Sequence, residues 1–196
     1  MANAPKIKVL GISGSLREGS FNTAALREAM RLAPDGLEIE LADISQIPIY
    51  NEDLYATGFP VAVERLREQV RAADALLIAT PEYNYSVPGV LKNAIDWASR
   101  PPAQPFAGKP VAVMGASAGR FGTARAQYHL RQSMVFLDMR PLNRPELMIA
   151  TAQQVFGEQG NLIDEKTRGY LRALLEGLLE WTLSHQRGAA TTETER

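Results

Sequence analysis

The sequence predicts an α/β domain in which a parallel sheet lies between two layers of helices. Three observations predict it. Five short apolar runs alternate with segments of helical periodicity along the chain, the pattern of successive βαβ units. One run, Ala75–Ala79 (Ala-Leu-Leu-Ile-Ala), is apolar at every position, as expected of a central parallel strand covered on both faces. The 196 residues are 45% hydrophobic, which suits a single domain with a sizeable core.

Residues 1–5 read as a loose start. Ile7–Ile12 is rich in β-branched residues and bounded by glycine, and reads as strand one. The next segment, Thr23–Ala33, carries Leu26, Met30 and Ala33 at helical spacing, and Pro34-Asp35-Gly36 stops it. Leu37–Leu41 alternates with period two and keeps one face charged, which places strand two near an edge. Residues 43–59 form an unpatterned connection of a length often associated with function. Pro60 suits the first turn of a helix. That helix buries Val63, Leu66, Val70 and Ala73 and turns Glu64, Arg67, Glu68 and Arg71 to water.

Strand three is Ala75–Ala79. The helix after it has Leu91, Ala94, Ile95 and Ala98 on one side, with Lys92 and Asp96 four apart on another, and ends at Pro101-Pro102. Lys109–Met114 is strand four, followed by a helical segment over roughly 123–137. A fifth strand, weakly patterned and interrupted by Pro145, lies at 141–149. The last helix, about 164–184, buries Leu171, Leu174, Leu175, Leu178 and Trp181. Residues 186–196 are polar and expected to fray. Right-handed crossovers leave few wirings, and five such strands fit the flavodoxin-like order 2-1-3-4-5, a three-layer sandwich. Strand one then lies beside strand three at the switch point, where ligands sit outside the carboxyl ends of the strands. The unusual loops follow strands one, three and four, so one cleft receives all three.

Composition excludes several function classes. The formal net charge is -1, which gives neither a nucleic-acid footprint nor an acidic tail. Cysteine is absent, so disulfides, thiolate zinc and a cysteine nucleophile are excluded together. His129 and His185 are the two histidines, and no metal site is assigned. Both lie in helical segments without a clustered acid, so no Ser–His–acid arrangement is assigned and His129 reads as packing. Trp97 and Trp181 likewise read as packing residues. No apolar run approaches the ~20 residues of a membrane-spanning helix, and Met1–Lys8 lacks a signal peptide's apolar centre. A cytoplasmic protein without membrane or nucleic-acid partners is expected.

The stretch Leu10–Asn22 carries the sharpest chemistry. It joins strand one to the first helix, a junction that aims backbone N–H groups and the positive end of a helix dipole at one point. The loop adds Ser13, Ser15 and Ser20, three glycines and Arg17. Ser20 or Asn22 could serve simply as N-cap, but a guanidinium amid hydroxyls and glycines suits a phosphate, with its nearly two charges at pH 7. Better-known phosphate loops are absent: no Gly-Lys is followed by Ser or Thr, and Gly11, Gly14 and Gly19 do not have Gly-x-Gly-x-x-Gly spacing. Asp43 therefore reads as a surface residue. In Thr80–Pro88 the prolines stiffen a loop holding Tyr83 and Tyr85. Two readings stand there: a turn whose tyrosines fill core edges, with Ser86 capping the next helix, or a flat wall with fixed amide donors for a planar ring. Ser117, in Gly-Ala-Ser-Ala-Gly, is open in a similar way: the glycines permit close approach to a ligand or merely make a turn.

Gly14-Ser15-Leu16-Arg17-Glu18-Gly19-Ser20-Phe21-Asn22, with Pro81 to Gly89 and Leu91-Lys92-Asn93-Ala94-Ile95-Asp96-Trp97, closely resembles the NAD(P)H-dependent FMN reductase family. Within it the match is closest to bacterial soluble quinone reductases also described as chromate reductases. The resemblance runs from about residue 7 to residue 180 and rests on two long motifs in the right order. It implies a flavodoxin-like fold, tightly bound FMN, NADPH or NADH as electron donor, and a homodimer or homotetramer. It also implies that Ser15, Leu16, Arg17, Glu18, Gly19, Ser20, Phe21 and Asn22 wrap the FMN phosphate. Pro81, Glu82, Tyr83, Asn84 and Tyr85 then line the isoalloxazine, and Ser117 touches it from the strand-four loop. In such an enzyme the flavin carries the chemistry, so no side chain is assigned as acid, base or nucleophile. The expected activity is two-electron transfer from NAD(P)H to quinones, flavins, azo compounds or chromate by a ping-pong mechanism. A flavodoxin-type single-electron carrier is the alternative, and a non-catalytic module of the same fold is a third reading. Such carriers are usually strongly acidic, whereas this chain is nearly neutral.

Overall fold

The computed structural model describes residues 6–194 and the side chains of 6–188. Residues 1–5 and 195–196, expected to be loose ends, lie outside the described residues. In chain order the elements are β1 (Ile7–Ser13), α1 (Phe21–Leu32), β2 (Leu37–Ala42), α2 (Glu52–Tyr55), α3 (Val61–Ala72), β3 (Ala75–Ala79) and α4 (Gly89–Ala98). β4 (Pro110–Ala116), α5 (Ala124–Phe136), β5 (Arg140–Pro141), β6 (Leu147–Ile149), α6 (Ala152–Val155) and α7 (Glu165–Thr194) follow. The sheet is parallel with order β2-β1-β3-β4-β5, the flavodoxin-like arrangement expected from the alternation of elements. β1 lies beside β3 in the register Val9↔Ala75 to Ser13↔Ala79.

Alternation along each strand feeds two cores. Val9, Leu77, Ala112 and Met114 pack under α1 and α7 against Ala25, Leu26, Ala29, Leu171, Leu174, Leu175 and Leu178. Leu10, Ile12, Leu76, Ile78, Val111 and Val113 face the other way, toward Leu66, Val70, Leu91, Ala94, Ile95, Leu130 and Met134.

Several local expectations change. The fifth strand is two pieces on one edge of β4: β5 pairs with Pro110 and Val111, and β6 with Met114 to Ala116. Proline lacks the ladder donor, so Pro141 and Pro145 confine the segment to an edge and break it. The connection 43–59 contains the short α2. It is tied to α4 through Pro48, whose carbonyl accepts from Asn93 at 2.8 Å and from the indole of fully buried Trp97 at 2.9 Å. Met30 is 44% exposed; the small Ala25 and Ala29 beside Leu26 let α1 sit close on the sheet instead. The last helix continues to Thr194, ten residues beyond the end near 184 that the pattern suggests.

Arg67 is the largest correction. Only 1% exposed, it donates to the carbonyls of Ala98 and Arg100, both at 2.7 Å, and Pro102 at 2.6 Å, and its guanidinium lies 4.0 Å from the Phe59 ring centre. Position 67 lies four after Val63 and three before Val70, on the buried stripe. A charge sits there because the loop after α4 turns its carbonyls inward, and burial holds the guanidinium below its ordinary pKa.

Candidate functional site

At the end of β1 the ladder continues past the strand, with the Gly14 amide donating to Ala79 O at 2.8 Å. The chain then loops out through exposed Leu16, Arg17, Glu18 and Gly19 and returns at buried Ser20. Ser20 is extended and is the N-cap of α1, its hydroxyl accepting from the Thr23 amide at 3.3 Å. Among the described residues the amides of Leu16, Glu18, Gly19, Phe21 and Asn22 meet no protein acceptor. The first turn of α1 holds no acidic residue. Arg17 has no ion pair among the described residues, and its guanidinium lies 5.7 Å from the Phe21 ring centre. Unpaired amides, a positive helix end and an uncompensated guanidinium make an anion cradle.

The Asn22 side chain has another task. Its carboxamide donates to Ala116 O and accepts from Ala116 N, both at 2.9 Å. This reciprocal pair, 94 residues apart in sequence, fastens the cradle to the end of β4. The Asn22 backbone N–H and the second N–H of its carboxamide then remain for a ligand.

After β3, Tyr83 and Ser86 exchange backbone hydrogen bonds at 3.1 and 2.9 Å. Between them Asn84 (φ 50°) and Tyr85 (φ 67°) are both left-handed, the geometry of a tight I′ hairpin turn. Glycine is the usual occupant, so asparagine and especially tyrosine carry strain there. The Asn84 and Tyr85 amides meet no protein acceptor among the described residues, and both tyrosine rings are more than half exposed. The Glu82 carboxylate points away into the protein, 6% exposed, where it accepts from the Arg125 amide at 3.0 Å and the Ala126 amide at 3.2 Å. It also pairs with the Arg125 guanidinium, which lies 3.6 Å from the Tyr85 ring centre and 5.1 Å from that of Phe121.

Two bland readings of this loop change. α4 is preceded by Pro88 with no side-chain cap. Ser86 instead meets Nδ1 of His129 at 3.1 Å, and His129 is exposed on α5 rather than packed. The two rings of Tyr83 and Tyr85 face solvent and do not fill core edges.

The third loop begins at Gly115, which decides how closely the others approach. A Cβ there would lie 1.9 Å from Thr123 Oγ1 and 2.3 Å from Thr80 O, so no side chain fits. Ser117 follows, its amide donating to Ile149 O at 2.9 Å and its hydroxyl accepting from Gly119 N at 3.1 Å.

A cleft of about 190 Å³ opens between the three loops, lined by Ser15, Arg17, Ser20, Phe21, Asn22, Pro81, Glu82, Tyr83, Ala116, Ser117 and Ala118. Nine of the fourteen sequence candidates thus share one wall. Leu16, Glu18, Gly19, Asn84 and Tyr85 stand outside that lining. The volume is below the ~300–1,000 Å³ of an enclosing small-molecule pocket. It suits a polar tail held in the cradle, with a flat remainder over the rim at Tyr83 and Tyr85. Larger hollows lie at the other end of the strands. Carboxylates Glu38 and Glu40 line one of them. In the other, Lys109 gives its ammonium to the Arg71 and Ala73 carbonyls, and burial lowers its pKa. No group of three metal-ligating side chains occurs among the described residues.

Sequence reasoning missed Arg125 and Phe121. A cation in the first turn of a helix opposes the dipole, and that local cost was the available signal at Arg125. Phe121 carried none.

A family model described as NADPH-dependent FMN reductase matches residues 7–154. An NAD(P)H-dependent FMN reductase of Pseudomonas aeruginosa is 71% identical over 175 residues, covering 89% of this chain and 95% of that protein. A quinone reductase of Escherichia coli K12 is 49% identical over 179 residues, covering 90% and 95% respectively. Among solved structures, the flavoenzyme NAD(P)H:(acceptor) oxidoreductase FerB of Paracoccus denitrificans superposes with a TM-score of 0.84 at 38% identity, covering 91% of this chain and 98% of that one.

Proposed function

We infer that this chain, which belongs to the NADPH-dependent FMN reductase family, is an NAD(P)H-dependent oxidoreductase that carries FMN in the cleft at the carboxyl ends of β1, β3 and β4. The observation that carries the reading is the cradle at the start of α1. Its unpaired amides, the Ser15 and Ser20 hydroxyls and the unpaired Arg17 guanidinium match a phosphomonoester in charge and in hydrogen-bonding sense. Every ligand group available there donates, and a phosphate accepts.

When bound, FMN supplies the redox chemistry, a ring that takes a hydride from reduced nicotinamide and returns electrons to an acceptor. The chain's own residues bind and orient. Ser15 to Asn22 hold the phosphate end. Pro81 to Tyr85 form the wall for the ring, with the Asn84 and Tyr85 amides as fixed donors for its polar edge, and Ser117 approaches from the loop after β4. No side chain at the cleft is needed as acid, base or nucleophile.

The donor and acceptor take turns over the same open rim, which gives two-electron transfer with ping-pong kinetics. Quinones are the acceptors most directly supported, because the Escherichia coli relative is a quinone reductase. Flavins, azo compounds and chromate follow if they can reach the rim. Val135 and Phe136, 82% and 86% exposed on α5, support a homodimer or homotetramer. No helix among the described residues is long and apolar enough to cross a membrane. The electron-carrier alternative is disfavoured by charge, since such carriers are usually strongly acidic and this chain has a formal net charge of -1.

The test is anaerobic rapid mixing of FMN-reconstituted protein with NADPH and with NADH, then with a panel of acceptors. Bleaching by a nicotinamide and parallel steady-state lines are expected. Intersecting lines with a detectable ternary complex would overturn the alternating order, and a protein indifferent to FMN would overturn the whole reading.

A further inference from the structure

We propose that Glu82 is a positioning residue that acts through Arg125, and that the pair sets where the Asn84–Tyr85 turn presents its amides. The proposal rests on the FMN reading above. Glu82 stands in the loop that forms the flavin wall, yet its carboxylate is turned inward and 6% exposed. There it accepts from the first-turn amides of Arg125 and Ala126, two of the donors that a helix start leaves unpaired. A carboxylate in that position also favours the α5 dipole. Loop and helix are thereby locked together across 43 residues of sequence.

Arg125 completes the lock from the other side. One face of its guanidinium lies against the Tyr85 ring at 3.6 Å, while Nη2 pairs with Glu82. Of the two turn residues, Tyr85 is the one whose left-handed backbone is harder to maintain, since asparagine tolerates that region better. Stacking by an anchored cation is the contact that holds its ring, and even with it in place Tyr85 stays 66% exposed. A second strut joins the same two elements, His129 to Ser86 at 3.1 Å. Because the turn amides are the donors offered to the flavin and the Glu82 carboxylate is turned away from the cleft onto α5, a change confined to that carboxylate alters flavin binding only by moving the turn.

Glu82→Gln, Arg125→Met, the double variant and Arg125→Lys test this by three readouts on wild-type and variant protein. These are FMN titration of apoprotein, the visible absorption band of the bound flavin, and amide exchange of Tyr83 and Ser86 in apoprotein. Glu82→Gln and Arg125→Met are each expected to weaken FMN about tenfold, the scale of one lost charge-assisted hydrogen bond. Both should move the flavin band and speed exchange of the turn amides. The double variant should be no worse than the weaker single, because the two residues form one lock. Arg125→Lys, which keeps the charge, should recover part of the affinity lost in Arg125→Met. If Glu82→Gln fails to fold, the Arg125 pair of variants carries the test. Variants with lowered melting temperature but unchanged FMN affinity, flavin band and turn exchange would overturn the proposal and leave the FMN reading standing. Wild-type protein that takes up no FMN would overturn that reading instead, while the apoprotein exchange would still decide whether the lock exists.

Discussion

Replacing Asn22 by alanine tests the link between fold and cleft most directly. Asn22 and Ala116 are both 3% exposed, and the carboxamide pairs with both backbone groups of Ala116 at 2.9 Å. Asn22→Ala leaves a buried N–H and a buried C=O without partners, each costing roughly 1–3 kcal/mol. Water entering from the adjoining cleft recovers part of that, so the net loss is about 2–4 kcal/mol. In a chain of this size the melting temperature should fall by about 4–16 °C. Asn22→Asp separates the two roles of the position. It keeps an acceptor for Ala116 N–H but sets an anionic oxygen against Ala116 O and places a negative charge in the cradle. The helix dipole favours that charge by only about 0.3–1 kcal/mol, so stability should still fall. FMN affinity should rank wild type, then Asn22→Ala, then Asn22→Asp. Thermal melts of apoprotein with and without FMN, joined to a reconstitution titration, measure both orders. An Asn22→Ala protein that melts within about 1 °C of wild type and binds FMN undiminished would refute the reasoning.

Arg17→Ala should weaken FMN binding roughly 10–100-fold while leaving the melting temperature of apoprotein alone, because the guanidinium has no ion pair among the described residues; equal affinity in a titration would remove Arg17 from the phosphate site. Arg67→Met should cost about 3–5 kcal/mol, read from the urea midpoint, since it strips three inward carbonyls of their donor; a loss under about 1 kcal/mol would show that the loop after α4 pairs those carbonyls another way. Asp164 accepts from the Thr167 hydroxyl at 2.6 Å and amide at 2.7 Å, which hold its pKa below the ordinary 3.8. A depressed carboxylate contributes stability above its unfolded pKa and loses it as pH falls through the folded value. Asp164→Asn should therefore flatten the acid limb of the stability curve below pH 3.8, and an unchanged limb would contradict it.

What was legible in the sequence follows from how far each interaction reaches along the chain. Ala75–Ala79 declared itself a central strand because burial on both faces leaves no place for a polar residue. The cradle was legible for a similar reason: Ser20 caps Thr23 three residues away, and the helix end, hydroxyls and Arg17 all belong to one short stretch. Strand order followed from handedness and alternation. The broken fifth strand was half legible, since Pro145 marked a break without showing that both pieces would lie along β4.

Tertiary structure alone decided the uses of polar side chains whose partners are distant. Arg67 reads as a solvated charge until the carbonyls of Ala98, Arg100 and Pro102 arrive beside it. Asn22 reads as a cap until Ala116 appears, and Glu82 as one more residue lining the ring until α5 offers its amides to the carboxylate. Periodicity records which face of an element loses water. It carries no record of which donor, folded in from elsewhere, makes that loss tolerable for a charge or an amide.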